Sequence, residues 1–274
     1  SETALTFVLV IGATTAFFMG LIGIVQNDIK RVVAYSTLSQ LGYMTVALGA
    51  SAYAVSIFHL MTHAFFKALL FLAAGSVIIG MHHAQDMRQM GGIRKYMRIT
   101  HWTALVGSLA LTGSPGFSGF FAKDAIIEWV PMSELWGSDY ASWLLTAGVF
   151  VTALYSFRLY FLVFHGKGPR DEHASEHLKE SPWVVTVPLI LLAIPSVFIG
   201  WYAIEPMLFG NFFDGVIHVA AIHDTLGQMG KGYHGQVGFI EHGMLAAPFW
   251  LAMGGLLTGC GGGGGGGGSS TPPP

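Results

Sequence analysis

The stretch from Ser56 to Gly80, SIFHLMTHAFFKALLFLAAGSVIIG, constrains the fold of this chain more than any other. At about 1.5 Å per residue, a helix of this length crosses the hydrocarbon core of a bilayer. His59, His63 and Lys67 recur at every fourth position, so a helix places them within an arc of roughly 80° and over roughly 12 Å of its axis. The sequence therefore predicts a membrane helix with one ionisable face.

The lysine on this face has few acceptable environments in a membrane. An ammonium group near the middle of a bilayer costs at least about 2.5–3.5 kcal/mol, so Lys67 is expected to face the protein interior or water rather than lipid. Histidines titrate near neutral pH, and His59 and His63 are therefore suited to relay protons through intervening water. The alternative is a structural role, in which Lys67 is simply buried and backbone or hydroxyl groups satisfy both histidines.

The composition agrees with a membrane protein, since 53% of the 274 residues are hydrophobic and 10% are charged. The formal net charge of −2 predicts no nucleic-acid partner, and the single cysteine excludes a disulfide framework or a thiolate-bound cluster within this chain. The first residues lead directly into an apolar segment without an initiator methionine or a basic region. We therefore expect the chain to be an internal fragment of a longer protein.

The hydrophobic segments predict an all-α integral membrane bundle of about seven transmembrane helices, one of them broken. The predicted spans are Thr3–Val25, Val32–Gly49, Ser56–Gly80, Thr100–Val130, Tyr140–His165, Pro182–Ile204 and Gln236–Thr258. The fourth is long and is interrupted at Ser114-Pro115-Gly116, which predicts two half-helices with a break inside the membrane. Such breaks are typical of helices that line cavities and ion sites.

The connecting segments are polar or rich in glycine. His82–Arg98 is predicted to be a connection that turns at Gly91-Gly92, Gly166–Ser181 a loop, and Glu205–His242 irregular. Residues 1–259 form the predicted transmembrane proton-translocation domain. Residues 260–274 contain eight consecutive glycines and end in prolines, so they are predicted to be a disordered tail and are left out of the fold prediction.

Basic residues predict the orientation of the bundle. With these spans, ten lysines and arginines fall on one side of the membrane, one falls on the other, and Lys67 and Lys123 lie within it. The ten are Lys30, Arg31, Arg88, Arg94, Lys95, Arg98, Arg158, Lys167, Arg170 and Lys179. By the positive-inside rule this side is cytoplasmic, or the matrix side in a mitochondrion.

Lys123 and Asp124 lie about two turns beyond the predicted break. Adjacent helical residues point about 100° apart, so the two side chains are expected to face different partners. Lys67 and Lys123 lie on different helices and would repel each other when both are charged. That repulsion offers a means of ejecting a proton.

Metal and haem sites have weaker support. His173 and His177 have a spacing of four, which suits a metal site, but their acidic neighbours suit a solvated turn equally well. The adjacent pair His82-His83 favours a loop. A b-type haem needs histidines on two facing helices, whereas the histidines predicted at membrane depth lie on one helix.

Several long motifs closely resemble the largest antiporter-like membrane subunits of respiratory complex I, the proton-pumping NADH:ubiquinone oxidoreductase. They are DIKRVVAYSTLSQLGYM (28–44), FHLMTHAFFKALLFLAAGSVI (58–78), MGGIRKYM (90–97), GSPGFSGFFAKD (113–124) and YSFRLYFLVFHG (155–166). The resemblance covers roughly residues 3–258. The large subunit of multisubunit Na⁺/H⁺ antiporters shares much of the same pattern and is the alternative.

The resemblance implies a core of two inverted repeats, each with a broken helix and a central hydrophilic axis, of which this chain holds the second repeat. It matches Lys67 to the central lysine, His59 and His63 to the linking histidines, Lys123 and Asp124 to the broken-helix site, and Lys30 to a further functional lysine. It implies no cofactor in this chain, with flavin, iron–sulfur clusters and quinone in other subunits. The implied partners are other membrane-arm subunits and the lipid bilayer, in a bacterial inner membrane or a mitochondrial inner membrane.

Overall fold

The computed structural model describes residues 1–166, 168–169, 178–219, 223, 230 and 233–261. These residues form nine α-helices, joined by short 3₁₀ turns and one π-helical turn, and their secondary structure agrees with the predicted all-α class. The helices are α1 Glu2–Val25, α2 Ile29–Gly49, α3 Tyr53–Gly80, α4 Arg98–Thr112, α5 Ser118–Trp129, α6 Ser138–Phe164, α7 Trp183–Ile204, α8 Gly235–Leu245 and α9 Ala247–Gly261.

Four of the described helices are long and apolar enough to cross a membrane: α1, α3, α6, and α7 together with the π-helical turn that follows it. The bent pair α8 and α9 makes a fifth when it is counted as one broken span. The polar helix α2 and the half-helices α4 and α5 are not among these five, and the total of seven spans stays a prediction. The sequence predicted α2 to pack among other helices, and its extensive contacts with α1 and α3 agree with that prediction.

The antiparallel pair α1 and α2 is held together by small residues. A Cβ atom added to Gly42 would lie 2.5 Å from the backbone nitrogen of Ala16, so only glycine permits this approach of the two backbones. The α2 helix begins where the Asp28 carboxylate accepts hydrogen bonds from the backbone N–H groups of Lys30 and Arg31, at 2.8 and 3.1 Å.

The loops that carry the basic residues meet at one end of the bundle, which we call the basic end (residues 26–29, 81–99, 165–166 and 168–169). The backbone of Ile29 donates to Gln85 O at 3.0 Å, and Gly92 donates to His165 O at 2.9 Å. The Arg158 guanidinium donates to Gln26 O and Asn27 Oδ1, both at 2.7 Å. The predicted grouping of these basic segments is therefore confirmed where the structure describes them, and Arg158 ties α6 to the loop between α1 and α2.

The predicted break between α4 and α5 is confirmed, but it is wider than the sequence indicated. Gly113 ends α4 with a φ of +75°, Gly116 has a φ of +87°, and α5 begins at Ser118. The backbone N–H groups of Ser114 and Gly113 donate back to Leu109 O and Ala110 O, at 3.0 and 3.2 Å, in the pattern of a Schellman cap. Two left-handed glycines therefore flank the proline, and the prediction named only the second.

The last predicted span is bent, which the sequence analysis did not anticipate. α8 and α9 meet at Ala246 with an angle of 64° between them. The segment predicted to be irregular also contains the π-helical turn Glu205–Phe209 and the first turns of α8. At its other end α9 continues through Cys260 to Gly261, so these two residues, which were predicted to belong to the disordered tail, are helical. Residues 262–274 lie outside the described residues.

The buried side chains form two hydrophobic clusters with a layer of polar side chains between them. One cluster includes Phe58 and Phe121, and the other, nearer the basic end, includes Phe66 and Leu111. His59 and His63 lie between Phe58 and Phe66 along α3, which places them between the two clusters. The fold thus places the ionisable face of α3 in the protein interior.

Candidate functional site

The ionisable face of α3 is turned inward, as the sequence predicted. His59 is fully buried, and His63 and Lys67 are 5% and 4% exposed. The His59 and His63 rings lie 6.1 Å apart between centroids. The helical spacing of four therefore produces a buried row of three ionisable side chains.

The Lys67 ammonium is bound by a hydroxyl group of α2. Lys67 Nζ donates to Ser36 Oγ at 2.7 Å, and Ser36 Oγ lies 2.8 Å from the hydroxyl of Tyr155 on α6. These three residues line a cavity of about 20 Å³ together with Ser108 and Ser156. A cavity of this size holds about one water molecule, and its hydroxyl groups supply the partners that such a water needs.

The two histidines are incompletely satisfied. His59 Nε2 lies 3.2 Å from Gln40 Oε1, while His59 Nδ1 and His63 Nε2 are buried without a hydrogen-bond partner among the described residues. Leaving a buried polar atom unpaired costs about 1–3 kcal/mol. Backbone and hydroxyl groups therefore do not fully satisfy these two histidines, as a purely structural role would require.

A face of α2 forms the opposite wall of the row, and the sequence analysis assigned it no role. Ser36, Gln40 and Tyr43 are spaced i, i+4 and i+7, and they lie next to Lys67, His59 and Lys123 respectively. The spacing was readable in the sequence. Which helix faces it depends on the tertiary packing.

Lys123 on α5 continues the row toward the end opposite the basic end, which we call the far end (residues 50–53, 130–137 and 205–219). It is 3% exposed, and its Nζ has no hydrogen-bond partner among the described residues. Nζ lies 5.1 Å from the centroid of the Tyr43 ring, within the range of a cation–π contact. A buried ammonium with so few contacts gains by meeting water or by giving up its proton.

Asp124 faces a different helix from Lys123, as the sequence predicted. It is 6% exposed, and a Cβ atom added to Gly243 on α8 would lie 2.6 Å from Asp124 Oδ2. One turn further along α5, Glu128 Oε1 lies 3.1 Å from Nε2 of His242, whose side chain is mostly exposed. Glu128 and His242 were not singled out from the sequence, because their contact depends on the bend between α8 and α9.

The remaining candidates lie apart from this row. Lys30 is exposed at the start of α2, at the basic end. The described residues contain no group of three or more histidine, cysteine, aspartate or glutamate residues that would hold a metal ion. The predicted alternative site at His173 and His177 lies outside the described residues.

The described residues thus define a helical membrane protein with a row of ionisable groups buried between a lysine and a surface-reaching carboxylate–histidine pair. The family described as "NADH:quinone oxidoreductase/Mrp antiporter, TM" matches residues 1–154. This match covers more than half of the chain, and the chain belongs to that family.

Similar proteins occur in bacteria and in plants. The NADH-quinone oxidoreductase subunit L of Neisseria meningitidis serogroup A is 58% identical over 275 residues, covering 94% of this chain and 41% of that protein. The subunit L of Rhodobacter capsulatus is 51% identical over 208 residues, covering 71% of this chain and 29% of that protein. The NADH-ubiquinone oxidoreductase chain 5 of Marchantia polymorpha is 47% identical over 208 residues, covering 76% of this chain and 31% of that protein. The chain therefore spans less than half the length of these relatives.

Proposed function

We propose that this chain is part of the proton-translocating membrane subunit of an NADH:quinone oxidoreductase. In this proposal protons move along the row from Lys67 through His63 and His59 to Lys123, and quinone reduction elsewhere in the complex drives them. The translocase activity belongs to the assembled complex, and this chain performs no redox chemistry itself. The names of the relatives and the buried row support this function together.

The observation that carries the proposal is the incomplete satisfaction of a buried row of bases. His59, His63 and Lys123 each present a buried nitrogen without a hydrogen-bond partner among the described residues, and Lys67 shares its cavity with hydroxyl groups. Buried ionisable groups that are not fully paired are costly, and in membrane proteins they mark proton and ion paths. The electrostatic repulsion between Lys67 and Lys123 would couple their protonation.

The path is proposed to open toward the far end. Asp124 and Glu128 are one turn apart on α5, and Glu128 contacts the exposed side chain of His242. A proton that leaves Lys123 when Lys67 becomes charged would pass along these groups to the surface. The resemblance implies that the full subunit has two repeats and that this chain holds the second. The proposed path is therefore half of the proton path of the full subunit.

We also propose the membrane, the partners and the cofactors that this function involves. The chain is an integral membrane protein, and we place it in a bacterial inner membrane, or in the mitochondrial inner membrane if the source is eukaryotic. Its proposed partners are other membrane-arm subunits of the complex and the surrounding lipid. Flavin, iron–sulfur clusters and quinone would be bound by other subunits, with no cofactor in this chain.

The alternative is the large subunit of a multisubunit Na⁺/H⁺ antiporter. The description of the matching family includes these antiporters. The buried Asp124 carboxylate, whose Oδ2 has no hydrogen-bond partner among the described residues, is an oxygen ligand of the kind that Na⁺ prefers. Ion dependence separates the two functions, because an antiporter requires a gradient of the second cation and no redox substrate.

The test uses the assembled complex reconstituted in liposomes, with a pH-sensitive dye inside. Lys67→Ala should strongly reduce NADH-driven acidification while leaving assembly near normal, because removing a buried charge relieves a desolvation cost. Lys67→Arg should not restore transport, since a guanidinium group hardly deprotonates. Lys95→Ala, which removes an exposed lysine at the basic end, is the matched control.

Two results would contradict the proposal. Unchanged acidification in Lys67→Ala would favour the structural role for this lysine. Acidification that follows an imposed Na⁺ gradient and needs no NADH would favour the antiporter.

A further inference from the structure

A second group of ionisable side chains, two of them buried and one half-buried, lies at the basic end, on the other side of Lys67 from Lys123. It consists of His101 on α4, with Tyr160 and His165 at the end of α6, and we call it the basic-end cluster. The Tyr160 hydroxyl lies 2.6 Å from His101 Nε2, and their rings stack with centroids 5.5 Å apart. His165 packs against both rings, with centroid distances of 5.3 Å to Tyr160 and 5.8 Å to His101.

The cluster has more polar groups than packing requires. Phe161 and Phe164 surround the same rings, and further phenylalanines would fill this space without polar atoms. His165 Nδ1 is buried without a hydrogen-bond partner among the described residues. A short hydrogen bond between a hydroxyl and an imidazole is the geometry that proton transfer needs.

Each of the two helices that carry the cluster also carries a buried serine in the direction of Lys67. On α6, Ser156 lies one turn before Tyr160, and on α4, Ser108 lies about two turns after His101. Both serines are buried, and Ser156 Oγ has no hydrogen-bond partner among the described residues. Both serines line the cavity of about 20 Å³ that contains Lys67.

The outer side of the cluster meets the loops of the basic end. The backbone N–H of Gly92 donates to His165 O at 2.9 Å, and the charge of Arg94 acts on both His101 and His165. Burial lowers the pKa of His165, and the charge of Arg94 lowers it further. His165 is therefore suited to pass a proton on rather than to store it.

We propose that the basic-end cluster takes up protons from the basic side and delivers them to Lys67 through Ser156, Ser108 and water. When an imidazolium forms at His101, its Nε2 gives a proton to the Tyr160 oxygen. The Tyr160 hydroxyl then releases its own proton to water on the side of Ser156. His101 returns to the neutral form, Lys67 gains one proton, and no other bond changes.

This inference rests on the proposed function and goes beyond it, because it assigns the source of the protons that the row releases. The packing of the cluster is independent of the contacts that support the row, whereas Ser108 and Ser156 line the cavity that both proposals share. The experiment therefore includes an arm for each.

The test measures the rate at which the assembled complex, reconstituted in liposomes, acidifies them while it oxidises NADH. Tyr160→Phe keeps the ring and removes the hydroxyl, and it should slow acidification by about tenfold or more. Tyr96→Phe, at an exposed tyrosine of the basic end, is the matched control and should behave as wild type. His101→Gln retains hydrogen bonding without titrating in this range, and it should be as slow as Tyr160→Phe.

Each outcome decides between the claims. If Lys67→Ala is inactive while Tyr160→Phe and His101→Gln pump as wild type, the basic-end cluster is packing and this inference is wrong, although the proposed function stands. If Lys67→Ala itself pumps normally, the proposed function fails first. Where Tyr160→Phe does not assemble, Ser156→Ala carries the test, because it removes one small hydroxyl, and normal pumping by it would overturn the path.

Discussion

Lys67 Nζ and Ser36 Oγ are joined by a 2.7 Å hydrogen bond across the interface of α3 and α2. Together with the contact of His59 and Gln40, it joins the ionisable face that the sequence predicted to a second polar face that it left without a role. Ser36 also lies 2.8 Å from the Tyr155 hydroxyl, so one side chain connects three helices at the centre of the row.

Ser36→Ala should remove the hydroxyl partner of Lys67 and slow acidification by the reconstituted complex. The variant leaves two buried groups without this partner, and thermal unfolding should show a loss of about 1.5–3 kcal/mol. Thr37→Ala is the control, because among the described residues Thr37 Oγ1 bonds to Val33 O of its own helix and not to another helix. If Ser36→Ala and Thr37→Ala slow acidification equally, the contact of Ser36 with Lys67 has no specific role in transport.

Tyr43 provides a test of the contact with Lys123. Tyr43→Phe keeps the ring and loses the hydrogen bond to Leu145 O, so it should lose about 0.5–1.5 kcal/mol of stability and little transport. Tyr43→Leu removes the ring as well and should slow transport by up to about thirtyfold. Dye kinetics on both variants measure the difference. Indistinguishable rates would mean that the Lys123 ammonium does not use the ring.

Straightening the break should isolate Lys123 from the row. Replacing Gly113, Pro115 and Gly116 with alanine favours a continuous helix, because alanine at either left-handed position costs about 1–2 kcal/mol. The triple variant should release protons slowly and resemble Lys123→Ala in single-turnover dye kinetics. Pro115→Ala alone leaves both left-handed glycines and serves as the control. Normal release with a helix shown to be straight would make the break a packing feature.

The contact between Glu128 and His242 should matter more for transport than for stability. A double-mutant cycle with Glu128→Gln and His242→Asn should give a coupling of about 0.2–1 kcal/mol, because His242 is mostly exposed. Both single variants should slow proton release at the far end. His234→Asn, at an exposed histidine just before α8, controls for the loss of an imidazole. A cycle with no coupling and normal release would remove the pair from the path.

The orientation is tested by labelling single cysteines in a Cys260→Ser background, which removes the exposed cysteine of this chain. Tyr96→Cys at the basic end should react with an impermeant maleimide only from the cytoplasmic side. Trp136→Cys at the far end should react only from the opposite side. Tyr96 and Trp136 are both exposed, so burial does not limit labelling at either position. Reversed labelling would contradict the orientation.

The sequence by itself determined the helices and the ionisable face of α3. The length and apolarity of these segments leave few alternatives to membrane helices, and the spacing of His59, His63 and Lys67 places them on one face of any helix. The break near Pro115 was readable for the same reason, because proline and glycine act through local backbone geometry. The separation of Lys123 from Asp124 also followed from helix geometry alone.

Only the tertiary structure decided which faces meet. The pairing of Ser36 with Lys67, the contact of Glu128 with His242 and the stacking of His101 on Tyr160 each join residues from different helices. Helical periodicity specifies the direction of a side chain around its own axis, but not the neighbour that it reaches. The bend at Ala246 was missed for a related reason, since the segment was interpreted as one span, and the 64° angle is seen only where the two helices pack against α5 and α6.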